Sequence, residues 1–189
     1  MTRARGRPKQ GTGLTRDAVL DAAMQLLEQG GGKGVTMRAL AARLGTTPMS
    51  LYHHVPDRAG LLVALSDRVY GQVLSAASAS TDGWSEIRVL LTRYYEAVGR
   101  HPQLTLEIFA EPEAFAGVSR AITNRLNSLL ATITGEHLLW RDILIDHAHG
   151  SGLALSSAQA DLERGALLRS QYGQALDCLL AGLRGGALK

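Results

Sequence analysis

The sequence predicts an all-α protein: an N-terminal three-helix head holding a helix-turn-helix, then a larger helical C-terminal domain. Three observations carry that prediction. Residues 35–65, VTMRALAARLGTTPMSLYHHVPDRAGLLVAL, read as two short helices joined at Gly45 and followed by a long apolar helix. From residue 84 to 185, apolar residues recur at spacings of three and four, the period of a helix with one buried face. No stretch alternates apolar and polar with period two, so no strand is placed.

The first 14 residues, MTRARGRPKQGTGL, hold Arg3, Arg5, Arg7 and Lys9 with no acid. They are too polar and glycine-rich to fold alone and read as a flexible basic arm, either touching phosphates or remaining a solvated tail. Residues 15–56 form the head. Thr15 caps a first helix whose inner positions are Val19, Ala23, Leu26 and Leu27. The glycines at 30, 31, 32 and 34 break it; no strand precedes them and the spacing of a phosphate-binding loop is missing.

Thr36 caps the second helix, with Leu40, Ala41 and Leu44 inward. Gly45 stops that helix in the left-handed region, where a residue without Cβ meets little steric cost. Thr46 or Thr47 caps the third helix, and Pro48 fits its first turn. Leu51 and Val55 lie four apart and face inward, which leaves Met49, Ser50, His53 and His54 largely outside. Pro56 is expected to end this helix. Asp57 caps a linking helix over residues 57–80, with Leu61, Leu62, Leu65, Val69 and Val73 as its apolar stripe.

Residues 81–189 read as the larger domain. Its stripes are Ile87, Leu90, Leu91, Tyr94 and Val98; a short helix from Pro102 to Phe109; Val118, Ile122, Leu126, Leu129, Leu130 and Ile133; Leu138, Leu139, Ile143 and His147; and Leu168, Tyr172, Leu176, Leu179 and Leu183. Gly185 and Gly186 end the last one.

Charge separates the two parts. Residues 1–70 hold ten Lys/Arg against five Asp/Glu, and residues 71–189 hold ten against twelve. A basic front on a slightly acidic back suggests that the front meets a polyanion. The single cysteine, Cys178, excludes an intramolecular disulfide, fits a reducing cytoplasm and reads as a small apolar core residue. No signal peptide is visible, and no apolar run approaches the length of a membrane span. No paired carboxylates, nucleophile elbow, metal-ligand set or phosphate loop suggests an enzyme, and no cofactor is called for. His137, His147 and His149 invite a metal reading, but 147 and 149 point to different sides of one helix, so no metal site is expected.

A helix pair whose second member shows a polar, aromatic and histidine-bearing face is what a DNA reader needs. A helical adaptor binding another acidic surface through its basic head is the alternative. The residues Thr36, Arg38, Leu40, Ala41, Leu44 and Gly45, followed by Leu51, Tyr52, His54 and Val55, make the run T-x-R-x-L-A-x-x-L-G and then L-Y-x-H-V. From about residue 15 to 65 the head resembles the TetR family of bacterial transcriptional regulators, especially its tetracycline-repressor type.

The resemblance implies a homodimer acting in the bacterial cytoplasm on double-stranded operator DNA, released by a small-molecule effector of unknown identity. It implies a C-terminal domain that binds the effector and dimerises. Carried over by position, Arg38 reaches a guanine, whose O6 and N7 suit a guanidinium fork. Thr36 stands at a helix N-terminus that favours phosphate. Thr47, Pro48, Met49 and Ser50 occupy the recognition turn, where the chain departs from the tetracycline repressor, so no operator sequence carries over. Tyr52 and His54 match positions that hold the DNA backbone, although Tyr52 can also be partly core. His53 and Arg58 are placed at phosphates.

Beyond residue 65 the resemblance is uninformative. Tyr94, Phe109, Phe115, Trp140 and His147 are candidates for an effector pocket, with plain core packing as the alternative for each. Leu168, Tyr172, Leu176, Leu179 and Leu183 are candidates for a dimer interface, with internal core as the alternative.

Overall fold

A computed structural model describes residues 13–30, 34–77 and 82–186. The arm residues Arg3, Arg5, Arg7 and Lys9 lie outside the described residues. Within them the chain is helical, with no strand.

The head begins with α1 (Arg16–Gly30), whose first turn is closed by the Thr15 hydroxyl accepting from the Ala18 N–H at 3.1 Å. Val19, Leu20, Ala23 and Leu27 are its buried face, and Leu26 is only partly covered. α2 (Met37–Arg43) is capped by Thr36, whose hydroxyl accepts from Ala39 N–H at 3.1 Å. Gly45 then adopts φ +62°, and Thr46 N–H reaches back to Ala41 C=O at 3.0 Å. That left-handed residue satisfies the end of α2 and turns the chain into α3 (Pro48–Tyr52). α3 ends four residues before Pro56. His53 and His54 form a turn, and Val55 N–H bonds Leu51 C=O at 3.0 Å.

α4 (Arg58–Ala77) starts under an Asp57 cap, with Gly60 N–H donating to its carboxylate at 2.7 Å. It belongs to both halves of the molecule. Leu61, Leu62 and Leu65 are fully buried near the head; Tyr70 and Val73 are buried further along. α5 (Gly83–Arg100), α6 (Pro102–Ala110), a 3₁₀ turn (Pro112–Ala114), α7 (Gly117–Ala131), α8 (His137–Ser156) and α9 (Leu162–Gly185) complete the body.

The body is held by three kinds of contact. α5 and α8 cross almost backbone to backbone at Gly99 and Gly152. A Cβ on Gly152 would lie 2.7 Å from Val98 Cγ1 and 2.9 Å from the Tyr95 carbonyl oxygen. α4 is tied to α7 by polar bonds: Asp67 accepts from Val118 N–H at 2.8 Å, and the buried Ser66 and Ser119 hydroxyls pair at 2.6 Å. α5 is tied to α7 by a bidentate fork from Arg125 to the buried Glu86, at 2.6 and 2.7 Å.

Three readings of the C-terminal helices need correction. On α8 the buried face is Trp140, Leu144, Ala148, Gly152 and Leu155, while Leu138 and Leu139 are half exposed. The small residues Ala148 and Gly152 let α5 approach closely, so the face with less bulk is the packed one. On α9, Tyr172, Leu176 and Leu183 are buried in their own protomer, and Leu168 and Leu179 are partly covered. Tyr172 stacks on Tyr95 at 3.8 Å and donates its hydroxyl to Leu91 C=O at 3.0 Å, so this stripe is internal core. Cys178, expected inside, is exposed.

Candidate nucleic-acid interface and inner cavity

α3 is only five residues long, and its orientation is set by what it buries. Leu51 and Val55 are 0% and 1% exposed, while Met49 and Tyr52 are 69% and 45% exposed. Pro48 and His53 are exposed beside them, and Ser50 and His54 are half-buried. Thr47 caps the helix: its hydroxyl accepts from Ser50 N–H at 3.3 Å and pairs with the Ser50 hydroxyl at 3.1 Å. The outward face therefore combines an apolar thioether, a phenol, two imidazoles and small hydroxyls.

Behind α3, Arg38 projects exposed from the first turn of α2 and has no hydrogen-bond or ion-pair partner among the described residues. Arg43, at the other end of α2, is committed inward: it donates to Gln29 at 3.1 Å and Gln25 at 2.7 Å on α1. The two arginines of one short helix thus differ in kind. One locks α2 to α1, and the other remains available to an incoming acceptor.

Arg58 departs from its expected place at a phosphate. Its guanidinium donates to Glu111 at 2.6 Å, pairs with Glu107, and reaches the Val35 carbonyl at 3.4 Å. All three partners are in this chain, two of them carboxylates of the α6 region. An arginine that already satisfies two carboxylates has little charge left for DNA.

The body holds a cavity of about 450 Å³ that opens to the surface. Tyr70 from α4, Tyr94 from α5, and Thr105, Ile108 and Phe109 from α6 form one side, with Phe115 beyond the 3₁₀ turn. Ser119, Arg120, Thr123 and Asn124 from α7, and Arg141, Asp142, Ile145, Asp146 and His149 from α8, form the other. Of the candidate pocket residues, Tyr94, Phe109 and Phe115 line this cavity. Trp140 is buried elsewhere, and His147 stacks on Tyr172 with ring centroids 5.1 Å apart, so neither reaches it.

Sequence reading missed His149 and Tyr70. Asp142, Ile145, Asp146 and His149 recur at three and four along α8, a signal that was present but hidden by choosing the Leu138–His147 face. His149 is held by Tyr94, whose hydroxyl lies 2.6 Å from Nε2. Burial lowers the His149 pKa to about 4, with only a partial opposing pull from Asp146. The imidazole is therefore neutral at pH 7. Burial also raises Tyr70 to about 12, partly offset by its bond to Thr105, and raises Tyr94 further. Among the described residues no cluster of three or more His, Cys, Asp or Glu is placed to hold a metal ion. No helix among them is long and apolar enough to cross a membrane.

These features can be set beside known proteins. Residues 19–65 match the profile of bacterial regulatory proteins of the tetR family. The HTH-type transcriptional repressor DrrR1 of Streptomyces coeruleorubidus is 35% identical over 116 residues, 58% of this chain and 43% of DrrR1. The chain thus spans less than half the length of that relative. BioQ, solved with its natural double-stranded DNA operator, superposes with a TM-score of 0.66 at 24% identity, covering 90% of this chain and 98% of BioQ. A TetR variant from Acinetobacter baumannii AYE in complex with minocycline superposes with a TM-score of 0.65 at 21% identity, covering 89% and 96%. At such identities the superpositions show a common fold. Residues 19–65 thus match a tetR-family domain of bacterial regulatory proteins, and the whole chain shares its fold with these solved structures.

Proposed function

We propose that the protein is a homodimeric, sequence-specific DNA-binding regulator, a repressor that leaves its operator when a small molecule occupies the body cavity. The observation that carries this reading is the division of α3: Leu51 and Val55 fully buried, Met49, Tyr52 and His53 turned outward. A buried core has no use for that outward face, and a major groove has. Arg38 and the N-terminus of α2 at Thr36 supply cationic and N–H donors beside it. The name of DrrR1 and the DNA-bound state of BioQ support the same reading.

For the effector, support comes from the cavity and from the minocycline complex of a protein with this fold. Tyr94, Phe109 and Phe115 are the proposed contacts from the original candidates, joined by His149. The dimer surface is assigned to the half-exposed Leu138 and Leu139 of α8 and the exposed Leu167 of α9. A two-fold dimer would set the heads about 34–36 Å apart, one turn of B-DNA, so that a change in α4 alters their spacing. The ligand acts only through its different affinity for the two shapes. A protein acting on DNA works in the bacterial cytoplasm.

Selection of genomic fragments with the purified protein tests this. A regulator enriches a few short, roughly palindromic sites and keeps its preference while affinity falls steeply with salt. An adaptor with a basic head yields salt-sensitive binding with no enriched sequence.

A further inference from the structure

The cavity has a chemistry that narrows its ligand, given that it is the effector site proposed above. Its floor is a chain of rings set edge to face. Tyr70 meets Tyr94 at 5.6 Å, Tyr94 meets His149 at 5.2 Å, and His149 meets Phe109 at 4.6 Å, with interplanar angles of 63°, 65° and 80°. The hydroxyls of this floor are already used. Thr105 donates to His101 C=O at 3.2 Å, so Tyr70 is the donor in its 2.7 Å bond to Thr105. Tyr94 is engaged with His149. What the floor offers is aromatic surface without charge, because burial keeps His149 neutral.

The charged residues at the cavity are paired or stand exposed to solvent. Arg120 donates to Phe115 C=O at 2.8 Å, and Arg141 is paired with Asp142 at 2.7 Å. Asp146 is exposed, where an ion pair contributes little. A carboxylate or phosphate would meet only the solvent-exposed charge of Arg120, where an ion pair contributes little, and an ammonium would find no buried counter-charge. Two polar groups are still open among the described residues: the exposed Asn124 side chain, which makes no hydrogen bond to any of them and holds both a donor and an acceptor, and the buried Nδ1 of His149, which has no partner. Phe109 lies 57% exposed beside the cavity, a large ring with much of its surface uncovered.

We infer that the ligand is a neutral, planar, fused-ring aromatic molecule carrying a carbonyl or hydroxyl on one edge, its rings lying against Phe109 and its polar edge bonded to Asn124. A saturated acyl chain would fill the volume but leave the ring edges without matched faces and Asn124 without a partner. The volume suits a molecule of about three fused rings, at the lower end of drug-sized sites.

Four probes of similar size decide the question by fluorescence or calorimetric titration of the full chain: acridone (neutral, planar, one carbonyl), acridine-9-carboxylate (anionic), 9-aminoacridine (cationic) and myristate (aliphatic). Acridone is expected to bind saturably and tighter than the other three. Phe109→Ala should weaken it roughly tenfold. Asn124→Ala should weaken it by roughly three- to tenfold. Both side chains are exposed, so both variants are expected to fold, checked by circular dichroism. Absence of saturable acridone binding, tighter binding of a charged or aliphatic probe, or acridone affinity unchanged in both variants overturns the inference. Release of the selected operator fragment is measured separately. Acridone that binds through Phe109 and Asn124 without releasing DNA upholds this ligand class and counts against the effector reading. Myristate that releases DNA does the reverse.

Discussion

Arg58 at the first residue of α4 grips Glu111, just past the end of α6, at 2.6 Å, and the same guanidinium pairs with Glu107 one turn earlier. α6 is a short helix with two duties. Thr105, Ile108 and Phe109 face the cavity, while Glu107 and Glu111 face Arg58. Arg58 in turn touches the Val35 carbonyl, immediately before the Thr36 cap of α2. A ligand that shifts α6 would therefore act on the base of the helix-turn-helix head through Arg58, beside the direct packing of α6 on α1.

Breaking that grip should uncouple the two halves. The groups are partly exposed, about 30% for the Arg58 side chain and 16% and 31% for its partners, so the direct loss in stability is small, on the order of 1 kcal/mol. Arg58→Ala is expected to reduce the effect of a cavity ligand on operator affinity by more than half. The salt slope should not change, because Arg58 donates within the chain. A slope reduced by about one unit would instead restore Arg58 to a phosphate contact.

Arg38 makes the opposite prediction. It is exposed and has no partner among the described residues, so its removal should leave the fold intact. Arg38→Ala is expected to lower discrimination at one operator base pair by about 1–3 kcal/mol. Binding measured against a panel of single-base operator variants checks this. A uniform loss across the panel would mean that Arg38 touches phosphate and reads no base.

The crossing of α5 and α8 at Gly152 should resist even one methyl group. A new Cβ would sit 2.9 Å from the Tyr95 carbonyl oxygen, backbone that cannot swing aside. Gly→Ala in a helix interior ordinarily gains about 1 kcal/mol of propensity, and overpacking costs about 1–3. Gly152→Ala is therefore expected to lower stability by about 1 kcal/mol and Gly152→Val by more, measured by urea unfolding. By contrast Gly173→Ala on α9, where an added Cβ meets nothing within 4 Å, should be neutral or stabilising.

The head was legible because its signals are local. Thr36, Gly45, Thr47, Pro48 and Asp57 each act within four residues, and each stands where its chemistry requires. In the body the helices and the buried stripes of α5 and α7 were legible too, but the pairing of faces was not, because a stripe of leucines does not name its partner. Leu138 and Leu139 look like core and lie half exposed, while Ala148 and Gly152 look weak and form the tightest crossing. The Arg58 grip joins residues about fifty apart, and the Tyr94–His149 bond joins residues 55 apart. No local periodicity encodes such pairs. Of the original pocket candidates, those on the cavity wall were separated from Trp140 and His147 only by how α5, α6 and α8 pack.

His149 should make stability depend on acid. Burial lowers its folded pKa to about 4, below the ordinary 6.5. The unfolded chain therefore binds more protons between those values, and stability falls as pH drops through that window. His147 and His101, whose pKa values burial also lowers, act in the same direction. The His149 contribution, a shift of about 2.5 units, is on the order of 3 kcal/mol, fully present above pH 6.5 and lost near pH 4. His149→Gln keeps an acceptor for the Tyr94 hydroxyl but cannot titrate. Urea unfolding at pH 7.5 and 4.5 should therefore show the wild-type protein losing about 2–3 kcal/mol more than the variant. Equal losses in both proteins would place His149 in water in the folded state, and with it the floor of the cavity.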